Sequence, residues 1–173
     1  MAKDINIIVA IDHDNGIGKD GTIPWKIPED IKRFRDLTST TSDSTKQNAV
    51  IMGRKTWESI PERFRPLPAR RNIVLSSRDT DFLGATRAES FLGAIDIAEL
   101  DDAIESIFVI GGAEVYRNAM PYARNLYVTH VSGSYDCDVR FPAITEEFKC
   151  SDTDPVLFTP TTWFWYESYR RKS

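Results

Sequence analysis

The sequence contains few of the residues from which metal centres and disulfide frameworks are built. Its 173 residues include two cysteines, Cys137 and Cys150, and two histidines, His13 and His130. These four residues have no metal-ligand spacing, and two isolated thiols are typical of a protein kept in a reducing compartment. The sequence therefore predicts neither a metal site nor a disulfide scaffold.

Long hydrophobic runs and an excess of positive charge are also absent. The apolar run at the N-terminus, Ile5 to Ile11, lies between Asp4 and Asp12 and is too short for a signal peptide or a membrane span. The formal net charge is -4, which argues against nucleic acid as the main partner. We therefore expect a cytosolic protein that binds small molecules and has no membrane attachment.

The length and the composition of the chain fit one domain over residues 1–173. Apolar residues make up 41% of the sequence and charged residues 28%, as in ordinary globular proteins. A division into two domains would leave too few residues for two hydrophobic cores. We therefore expect a single domain with one sizeable core.

Apolar segments rich in β-branched residues alternate with segments of helical spacing. Buried strands are predicted at Ile5 to Ile11, Ala49 to Met52, Asn72 to Ser76, Ile107 to Ile110 and Leu126 to Val131, with a short strand at Ala85 to Ala88. Helices are predicted at about Pro28 to Leu37, Arg54 to Ile60, Ser90 to Leu100 and Ala113 to Met120. In the third helix, the expected apolar contacts are Leu92, Ile95 and Leu100.

From Phe148 to Lys172 the pattern changes to alternating and aromatic residues, which indicates antiparallel strands at one edge of the sheet. The predicted fold class is therefore α/β. It has a mixed, mainly parallel central sheet, flanking helices and an antiparallel C-terminal hairpin.

A glycine-rich loop leads into a helix that carries a carboxylate on its apolar side. The loop, Asp12 to Ile23, holds three glycines and is long enough to move. In the helix that follows, Asp30 falls within the same arc of about 120° as Ile27, Ile31, Phe34 and Leu37. Asp30 is either a capping carboxylate with its head in water or a partly buried carboxylate that faces a pocket. Spacing alone leaves both interpretations open.

Two turns in which glycine joins a strand to a helix are candidate phosphate sites. They are MGRKTW, Met52 to Trp57, and IGGAEVY, Ile110 to Tyr116. Glycine lets a ligand approach the free backbone N–H groups at a helix N-terminus. Neither turn matches the GxGxxG or Walker pattern, so an ordinary tight turn is the alternative for each.

The residues Ser76, Ser77 and Arg78 follow a third predicted strand. In the common type of NAD site, an acidic residue in such a place binds the ribose hydroxyls, whereas arginine favours a 2′-phosphate. Any dinucleotide is therefore expected to be NADPH rather than NADH.

Two further polar residues have both a structural and a functional interpretation. Arg70 follows the stiff segment Pro61 to Pro68 and is either a solvated charge or a bidentate clamp on a carboxylate. Thr129, on a predicted buried strand, is either a β-branched filler or a relay hydroxyl. The sequence alone does not decide between these roles.

Six segments of the chain resemble the dihydrofolate reductase family, in the family's order and spacing. They are NGIGKDGTIPW, PEDIKRF, VIMGRKTWESIPERFRPLPAR, NIVLSS, FVIGGAEVY and LYVTHV. The resemblance extends from Ile5 to Pro142 and is looser over the final hairpin. It implies an NADPH-dependent oxidoreductase that reduces 7,8-dihydrofolate to 5,6,7,8-tetrahydrofolate for one-carbon metabolism. Such an enzyme would be a cytoplasmic monomer that antifolates inhibit.

The resemblance also implies which residues form the site. The catalytic group would be Asp30, Thr129, Ile23 and Trp25. The substrate would contact Asp30, Thr129, Arg70 and an apolar set consisting of Ile8, Val9, Ile31, Phe34, Ile60, Leu67 and Ile110. NADPH would contact Ala10, Ile17, Gly18, Gly53, Arg54, Lys55, Thr56, Leu75, Ser76, Ser77, Arg78, Ile110, Gly111, Gly112, Ala113, Glu114, Val115 and Tyr116. The family's cis peptide bond is expected between Gly111 and Gly112.

Two other functions are considered beside this one. The first is a reductase of the same fold that acts on a riboflavin-pathway aminopyrimidine, although that function gives no reason for Asp30 or Arg70. The second is a non-catalytic nucleotide-binding or RNA-binding regulator, for which a basic face would be expected. One departure from the family concerns Cys137, which stands where a flexible glycine is often found, so the motion of the glycine-rich loop is left open.

Overall fold

The computed structural model of the protein describes residues 2–173. Its strands are β1 (Ile5–Ile11), β2 (Gly16–Gly18), β3 (Gln47–Gly53), β4 (Arg70–Leu75), β5 (Thr86–Ala88), β6 (Ile104–Gly111), β7 (Asn125–Val131), β8 (Val139–Arg140), β9 (Phe148–Thr153), β10 (Leu157–Phe158) and β11 (Trp163–Arg171). Its α-helices are α1 (Pro28–Ser39), α2 (Arg54–Ser59), α3 (Phe91–Glu99) and α4 (Ala113–Ala119), and a short 3-10 helix spans Glu62–Phe64. Within residues 2–173, no helix has the length and apolar character needed to cross a membrane.

The strands form one nine-stranded sheet and a separate pair, β2 with β8. The order in the large sheet is β10-β11-β7-β1-β6-β3-β4-β5, and β9 pairs with β11 beside this path. The pairs from β7 across to β5 are parallel, whereas β7, β9 and β10 pair with β11 in antiparallel fashion. The predicted α/β class, with a mainly parallel sheet and an antiparallel C-terminal hairpin, is confirmed.

Helices cover both faces of the sheet because its central strands are apolar on both sides. In β1, Ile7 and Val9 belong to the core that α3 and α4 complete. Ile8 belongs to the core on the other face, to which α1 and α2 contribute Phe34 and Trp57. Successive side chains of a strand point to opposite faces, which separates the two cores.

Two segments differ from the sequence-based prediction, and a third agrees with it. Helix α1 continues to Ser39, two residues beyond the predicted end, and Oγ1 of Thr38 donates a hydrogen bond to the carbonyl of Phe34 in its last turn. The loop Asp12 to Ile23 is not wholly irregular, because Gly16–Gly18 pairs with β8. In α3, the predicted cap is confirmed, since Oγ of Ser90 accepts a hydrogen bond from the N–H of Gly93 at 3.0 Å.

The apolar contacts predicted for α3 are wrong in part. Leu92 and Leu100 are 54% and 85% exposed, while the buried face consists of Phe91, Ala94 and Ala98. The prediction chose the wrong side of the helix because it gave the large leucines more weight than the alanines. Two small alanines allow α3 to lie close to the sheet, and close approach decides which side is buried.

Asn48, on β3, fixes the end of α1 to the sheet. Its buried Nδ2 donates to the carbonyl oxygens of Thr38 and Thr40, at 3.1 and 2.9 Å. Its Oδ1 accepts a hydrogen bond from the N–H of Ser106 on β6, at 3.1 Å. The last carbonyls of a helix have no partner within the helix. One amide side chain therefore joins α1 to two neighbouring strands.

We expect Asn48→Ala to lower the free energy of unfolding by about 3 kcal/mol, since it leaves three buried or half-buried backbone groups without a partner. Urea unfolding monitored by circular dichroism measures this loss. The matched control is Asn118→Ala, an exposed position on α4, for which a change within about 0.5 kcal/mol is expected. Equal effects of the two substitutions would show that Asn48 does not fix α1.

Candidate active site

Asp30 lies in the first turn of α1 but does not cap the helix. The N-cap residue is Ile27, Pro28 occupies the first helical position, and no side chain of the described residues caps this end. The half-buried Asp30 carboxylate instead meets β7, where its Oδ1 accepts a hydrogen bond from Oγ1 of Thr129 at 2.6 Å. The interpretation of Asp30 as a capping residue is therefore wrong.

The surroundings of Asp30 favour its protonated form more than water does. Burial raises the pKa of Asp30 above its usual value, and the hydrogen bond from Thr129 and the charge of Arg33 offset part of that rise. Burial and the Asp30 charge also raise the pKa of the Tyr116 phenol. The same two causes raise the pKa of Tyr166 to about 12. A carboxylate has about four acceptor positions, so a bond from Thr129 leaves capacity for a ligand.

An apolar wall lies on the face of the sheet that α1 covers. Phe34, Ile60, Leu67 and Ile110 are half-buried and pack against the core that contains Ile8. The structure thus brings together five of the residues predicted for the substrate wall, on the same side as Asp30 and Thr129.

Three other predicted residues lie apart from this wall. Val9 follows Ile8 on β1, so its side chain enters the core on the opposite face and is not available as a wall. Ile31 is 60% exposed and Ile23, in the glycine-rich loop, is 63% exposed. Ile31 lies about 100° around α1 from Asp30, within the same arc, so its contact with a substrate stays a prediction.

Arg70 is buried at the start of β4, which rules out the interpretation as a solvated charge. Its side chain donates from Nε to the carbonyl of Pro68, at 2.8 Å, and from Nη1 to Oγ1 of Thr38, at 2.9 Å. Burial and the charge of Arg35 lower the pKa of Arg70. Two contacts fix the guanidinium, and the remaining donors of its five are suited to a carboxylate.

A buried carboxylate holds the base of the glycine-rich loop. Asp12 is 3% exposed, and it accepts backbone hydrogen bonds from Gly16 at 2.7 Å, Asp14 at 2.9 Å and Tyr135 at 3.0 Å. Burial acts to raise the pKa of Asp12, but these bonds and a contact from Cys137 outweigh burial and lower the pKa. The loop base and the segment around Tyr135 are therefore joined at one anion.

The rest of the loop lies against the segment that contains Cys137. The N–H of Asp138 donates to the carbonyl of Gly18, and its carboxylate accepts from the N–H of Asp20, both at 3.0 Å. Cys137 fits directly against Gly16, where an added Cβ would lie 2.5 Å from the Cys137 Cβ. Cys137 therefore fills space beneath the loop.

The remaining residues predicted near the nicotinamide lie around this loop. Ala10 is half-buried near the end of β1, and Ile17 packs on the core beneath the loop. Trp25 is half-buried between the loop and α1, and its ring meets Tyr135 edge-on with centroids 5.2 Å apart.

The two glycine turns lie side by side, because β3 ends at Gly53 and its neighbour β6 ends at Gly111. An added Cβ on Gly53 would lie 3.8 Å from the backbone N of Gly112. The Gly111–Gly112 peptide bond is cis, as the resemblance implied. Gly111 has a φ of 119°, which glycine adopts readily and other residues rarely do. Glycine thus keeps the space between the two turns open.

The polar residues predicted for a dinucleotide surround these turns. Lys55, Ser77 and Arg78 are exposed. Oγ of the buried Ser76 accepts a hydrogen bond from the N–H of Arg78, at 3.1 Å, which shapes the turn that presents Arg78. Arg54 is paired with Glu58, since its Nη1 lies 2.7 and 2.8 Å from the two carboxylate oxygens.

Other members of the predicted set shape the cleft from beneath. Val115 and Tyr116 are buried, and the Tyr116 hydroxyl donates to the carbonyl of Ile8 at 2.9 Å. Thr56, Leu75 and Ala113 are half-buried, and Glu114 is exposed. An open glycine cleft bordered by cations and hydroxyls fits a phosphorylated dinucleotide. Among residues 2–173, no group of three or more His, Cys, Asp or Glu side chains is placed to hold a metal ion.

Sequence reasoning missed three residues that shape the site. Thr38 positions Arg70, Tyr166 lies on β11 beside Thr129, and Arg33 carries the charge that acts on Asp30. The spacing of three residues between Asp30 and Arg33 on one helix was a signal that could have identified Arg33. The pairing of Tyr166 with Thr129 depends on strand register, which the sequence does not reveal.

The fold and the site define a class of α/β proteins whose candidate ligand site lies at the carboxyl ends of parallel strands. A sequence profile described as Dihydrofolate reductase matches residues 4–157. The chain belongs to the dihydrofolate reductase family.

Curated relatives include both short and bifunctional proteins. Dihydrofolate reductase from Drosophila melanogaster is 44% identical over 88% of this chain and 87% of its own length. Dihydrofolate reductase from Aedes albopictus is 37% identical over 88% of this chain and 86% of its own length. Bifunctional dihydrofolate reductase-thymidylate synthase 2 from Arabidopsis thaliana is 42% identical over 80% of this chain. The chain spans about a quarter of that relative, since the match covers 26% of it.

The lowered pKa of Asp12 predicts a stability effect that depends on pH. Because Asp12 has a lower pKa in the folded protein than in the unfolded chain, its contribution is complete above the unfolded value of about 3.9 and is lost as pH falls through the folded value. We expect Asp12→Asn to lower the free energy of unfolding by about 2 kcal/mol near pH 7 and by less near pH 3. Urea unfolding at the two pH values measures this difference.

The matched control is Asp136→Asn, which removes an exposed charge nearby in a left-handed conformation that asparagine tolerates. We expect that variant to stay close to the original protein at both pH values. A loss for Asp12→Asn that is the same near pH 3 and pH 7 would contradict the role of its charge.

Proposed function

We propose that the protein catalyses the NADPH-dependent reduction of 7,8-dihydrofolate to 5,6,7,8-tetrahydrofolate. The observation that carries the proposal is the half-buried Asp30 carboxylate, bonded to Thr129 beside an apolar wall, in a chain of this family. Family membership favours this reaction over the riboflavin-pathway reductase, and nothing in the site suggests a regulator without activity.

Asp30 orients the pterin and supplies the negative charge of the site. As an anion it accepts hydrogen bonds from the pterin's amino group and ring N–H, which fixes the ring and raises the basicity of the substrate. When bound, NADPH supplies the hydride, and the substrate nitrogen next to the reduced carbon must gain a proton. Thr129 holds the Asp30 carboxylate in place, and burial around Asp30 strengthens every charge interaction made there.

The rest of the substrate is bound by the apolar wall and by Arg70. Ile8, Phe34, Ile60, Leu67 and Ile110 would contact the pterin and the aminobenzoyl ring. Arg70, already oriented by Pro68 and Thr38, would bind the α-carboxylate of the glutamate as a bidentate pair. The loop Asp12 to Ile23, with Ile17, Gly18 and Ile23, and the neighbouring Trp25, would exclude water from the reacting atoms.

The glycine turns and the nearby cations bind the cofactor. Arg54, Lys55 and Thr56 lie at one turn and Gly111 to Ala113 at the other, so both are suited to the phosphates. Arg78 and Ser77 are exposed beside them, and a guanidinium is suited to the 2′-phosphate that distinguishes NADPH from NADH. Ala10 and Tyr116 border the place of the nicotinamide.

We also propose that residues 1–173 form a single domain that works as a cytoplasmic monomer. Support comes from the nine-stranded sheet, which contains both β1 and β11, and from the two thiols, Cys137 and Cys150, both of which are free. Its product would supply one-carbon metabolism, and antifolates that mimic the pterin would compete for Asp30. Because the chain spans about a quarter of one bifunctional relative, these proposals concern the residues of this chain alone.

The test is the loss of NADPH absorbance in the presence of dihydrofolate, with an antifolate added to stop it. In Asp30→Asn we expect turnover at neutral pH to fall by roughly 100-fold or more, since the charge that orients and polarises the substrate is removed. Turnover should recover in part at low pH, where solvent protonates the substrate. The matched control is Asp36→Asn, which removes an exposed carboxylate paired with Lys32 on the same helix.

Absence of both turnover and antifolate binding in folded protein would contradict the proposed function. Unchanged turnover of Asp30→Asn at neutral pH would contradict only the role of Asp30.

A second prediction concerns the choice of cofactor. We expect Arg78→Ala to raise the KM for NADPH about tenfold, because a charge-assisted bond to the 2′-phosphate is lost, and to leave the KM for NADH nearly unchanged. Steady-state kinetics with each cofactor measure the two constants. Arg117→Ala, which removes an exposed arginine from α4, serves as the control. A rise of equal size for both cofactors would exclude Arg78 from recognition of the 2′-phosphate.

A further inference from the structure

We propose that Arg33 is a positioning residue that keeps Asp30 negatively charged, and that Tyr166 holds Arg33 in place for this role. The proposal deepens the function proposed above and rests on it. It concerns a side chain that the resemblance to the family did not assign to the site.

Three side chains are linked in a series that ends at the Asp30 carboxylate. Arg33 lies three residues after Asp30 on α1, and its guanidinium carbon lies 4.0 Å from the centroid of the Tyr166 ring. Tyr166, on β11, pairs across the sheet with Thr129 on β7. Thr129 in turn donates its hydrogen bond to Asp30. A cation over an aromatic face is attracted by the ring, so Tyr166 holds the Arg33 guanidinium in a fixed position.

The hydrogen bonding of Arg33 indicates that its position over the Tyr166 ring does more than stabilise the fold. Its Nη1 is buried and has no hydrogen-bond partner among the described residues. Burial of an unpaired charged donor is destabilising unless an opposite charge compensates it. Its neighbours on α1 differ, because Lys32 and Arg35 both contact the Asp36 carboxylate. Arg33 instead interacts electrostatically with the negative charge of Asp30.

The other groups that face Asp30 do not replace the charge of Arg33. Thr129 contributes a neutral hydroxyl, and Tyr116 and Tyr166 are phenols whose own ionisation Asp30 opposes. Glu29 and Asp154 act on Tyr166 and carry the same sign as Asp30. Among the described residues, Arg33 is therefore the cation that offsets the cost of a charged Asp30. Without Arg33, the hydrogen bond from Thr129 alone would oppose the rise that burial causes in the pKa of Asp30.

Arg33 lies on a different side of α1 from the residues proposed to contact the substrate. It lines a groove of about 720 Å³ between α1 and the sheet, together with Glu29, Leu37, Phe108 and Tyr127. None of the residues proposed to contact the substrate lines this groove. A change at Arg33 is therefore expected to alter the charge state of Asp30 while leaving the substrate contacts in place.

The test compares Arg33→Met with Lys32→Met and Arg33→Lys. Arg33→Met removes the charge but keeps an apolar chain on Tyr166, Lys32→Met removes the same charge from an exposed neighbouring position, and Arg33→Lys keeps the charge. Carbon-13 NMR of protein labelled at the aspartate carboxyl carbons follows the titration of Asp30 without substrate or cofactor. The Asp30→Asn spectrum identifies its signal.

We expect the Asp30 midpoint to move to higher pH in Arg33→Met and to stay near its original value in both other variants. With NADPH and dihydrofolate, the midpoint of the kcat profile should move in the same direction, while the KM for dihydrofolate changes less than twofold. Arg33→Gln provides a second neutral variant should Arg33→Met unfold.

An unchanged Asp30 titration in both neutral variants would overturn the proposal, and so would equal shifts in Lys32→Met and Arg33→Met. Loss of turnover with an unchanged pH profile would also overturn the proposal, because Arg33 would then have a purely structural role. The titration requires no turnover, so a protein that did not reduce dihydrofolate would refute the proposed function and still give a result for Arg33.

Discussion

The hydrogen bond from Thr129 to Asp30 is the contact on which the arrangement of the site depends. It joins the first turn of α1 to a strand 99 residues further along the chain, and it requires α1 to lie across the sheet with its N-terminus over β7. Asn48 fixes the opposite end of the helix to β3 and β6. With both ends held, Phe34 lies on the apolar wall and Thr38 meets Arg70, so one helix positions three parts of the proposed substrate site.

Burial of the Asp30 carboxylate sets function against stability. Because burial raises the pKa of Asp30 in the folded protein, the folded state binds the proton more tightly than the unfolded chain does. The ionised carboxylate therefore makes the fold less stable as pH rises through the folded value. Thr129 and Arg33 reduce this cost without removing it. A carboxylate with unused acceptor positions in an apolar setting is what recognition of a pterin requires, so the instability and the proposed activity have one cause.

Much of the fold was predictable because buried strands in a parallel sheet are continuously apolar, as in β1, and because Ser90 is a strong helix cap. The site was harder to derive from residues alone. Spacing did not decide whether Asp30 caps α1, since a helix N-terminus favours a carboxylate in either role. The resemblance placed Val9 and Ile31 at the substrate. Alternation along β1 directs the Val9 side chain into the opposite core, whereas the contact of the exposed Ile31 stays a prediction. The place of Tyr166 beside Thr129 depends on the register between β11 and β7. Strand register is set by contacts between residues distant in sequence, so the sequence alone did not reveal it.

The contact between Gly16 and Cys137 has a consequence for how this sequence can vary. An added Cβ at position 16 would lie within 2.8 Å of the Asp12 carboxylate and closer still to the thiol. Because the contact with Asp12 would remain whatever residue stands at position 137, glycine is expected to be required at position 16. The tight fit also means that the base of the loop and the segment beneath it move as one body. The hydrogen bonds of Gly18 and Asp20 with Asp138 extend this fixed base beyond Gly16.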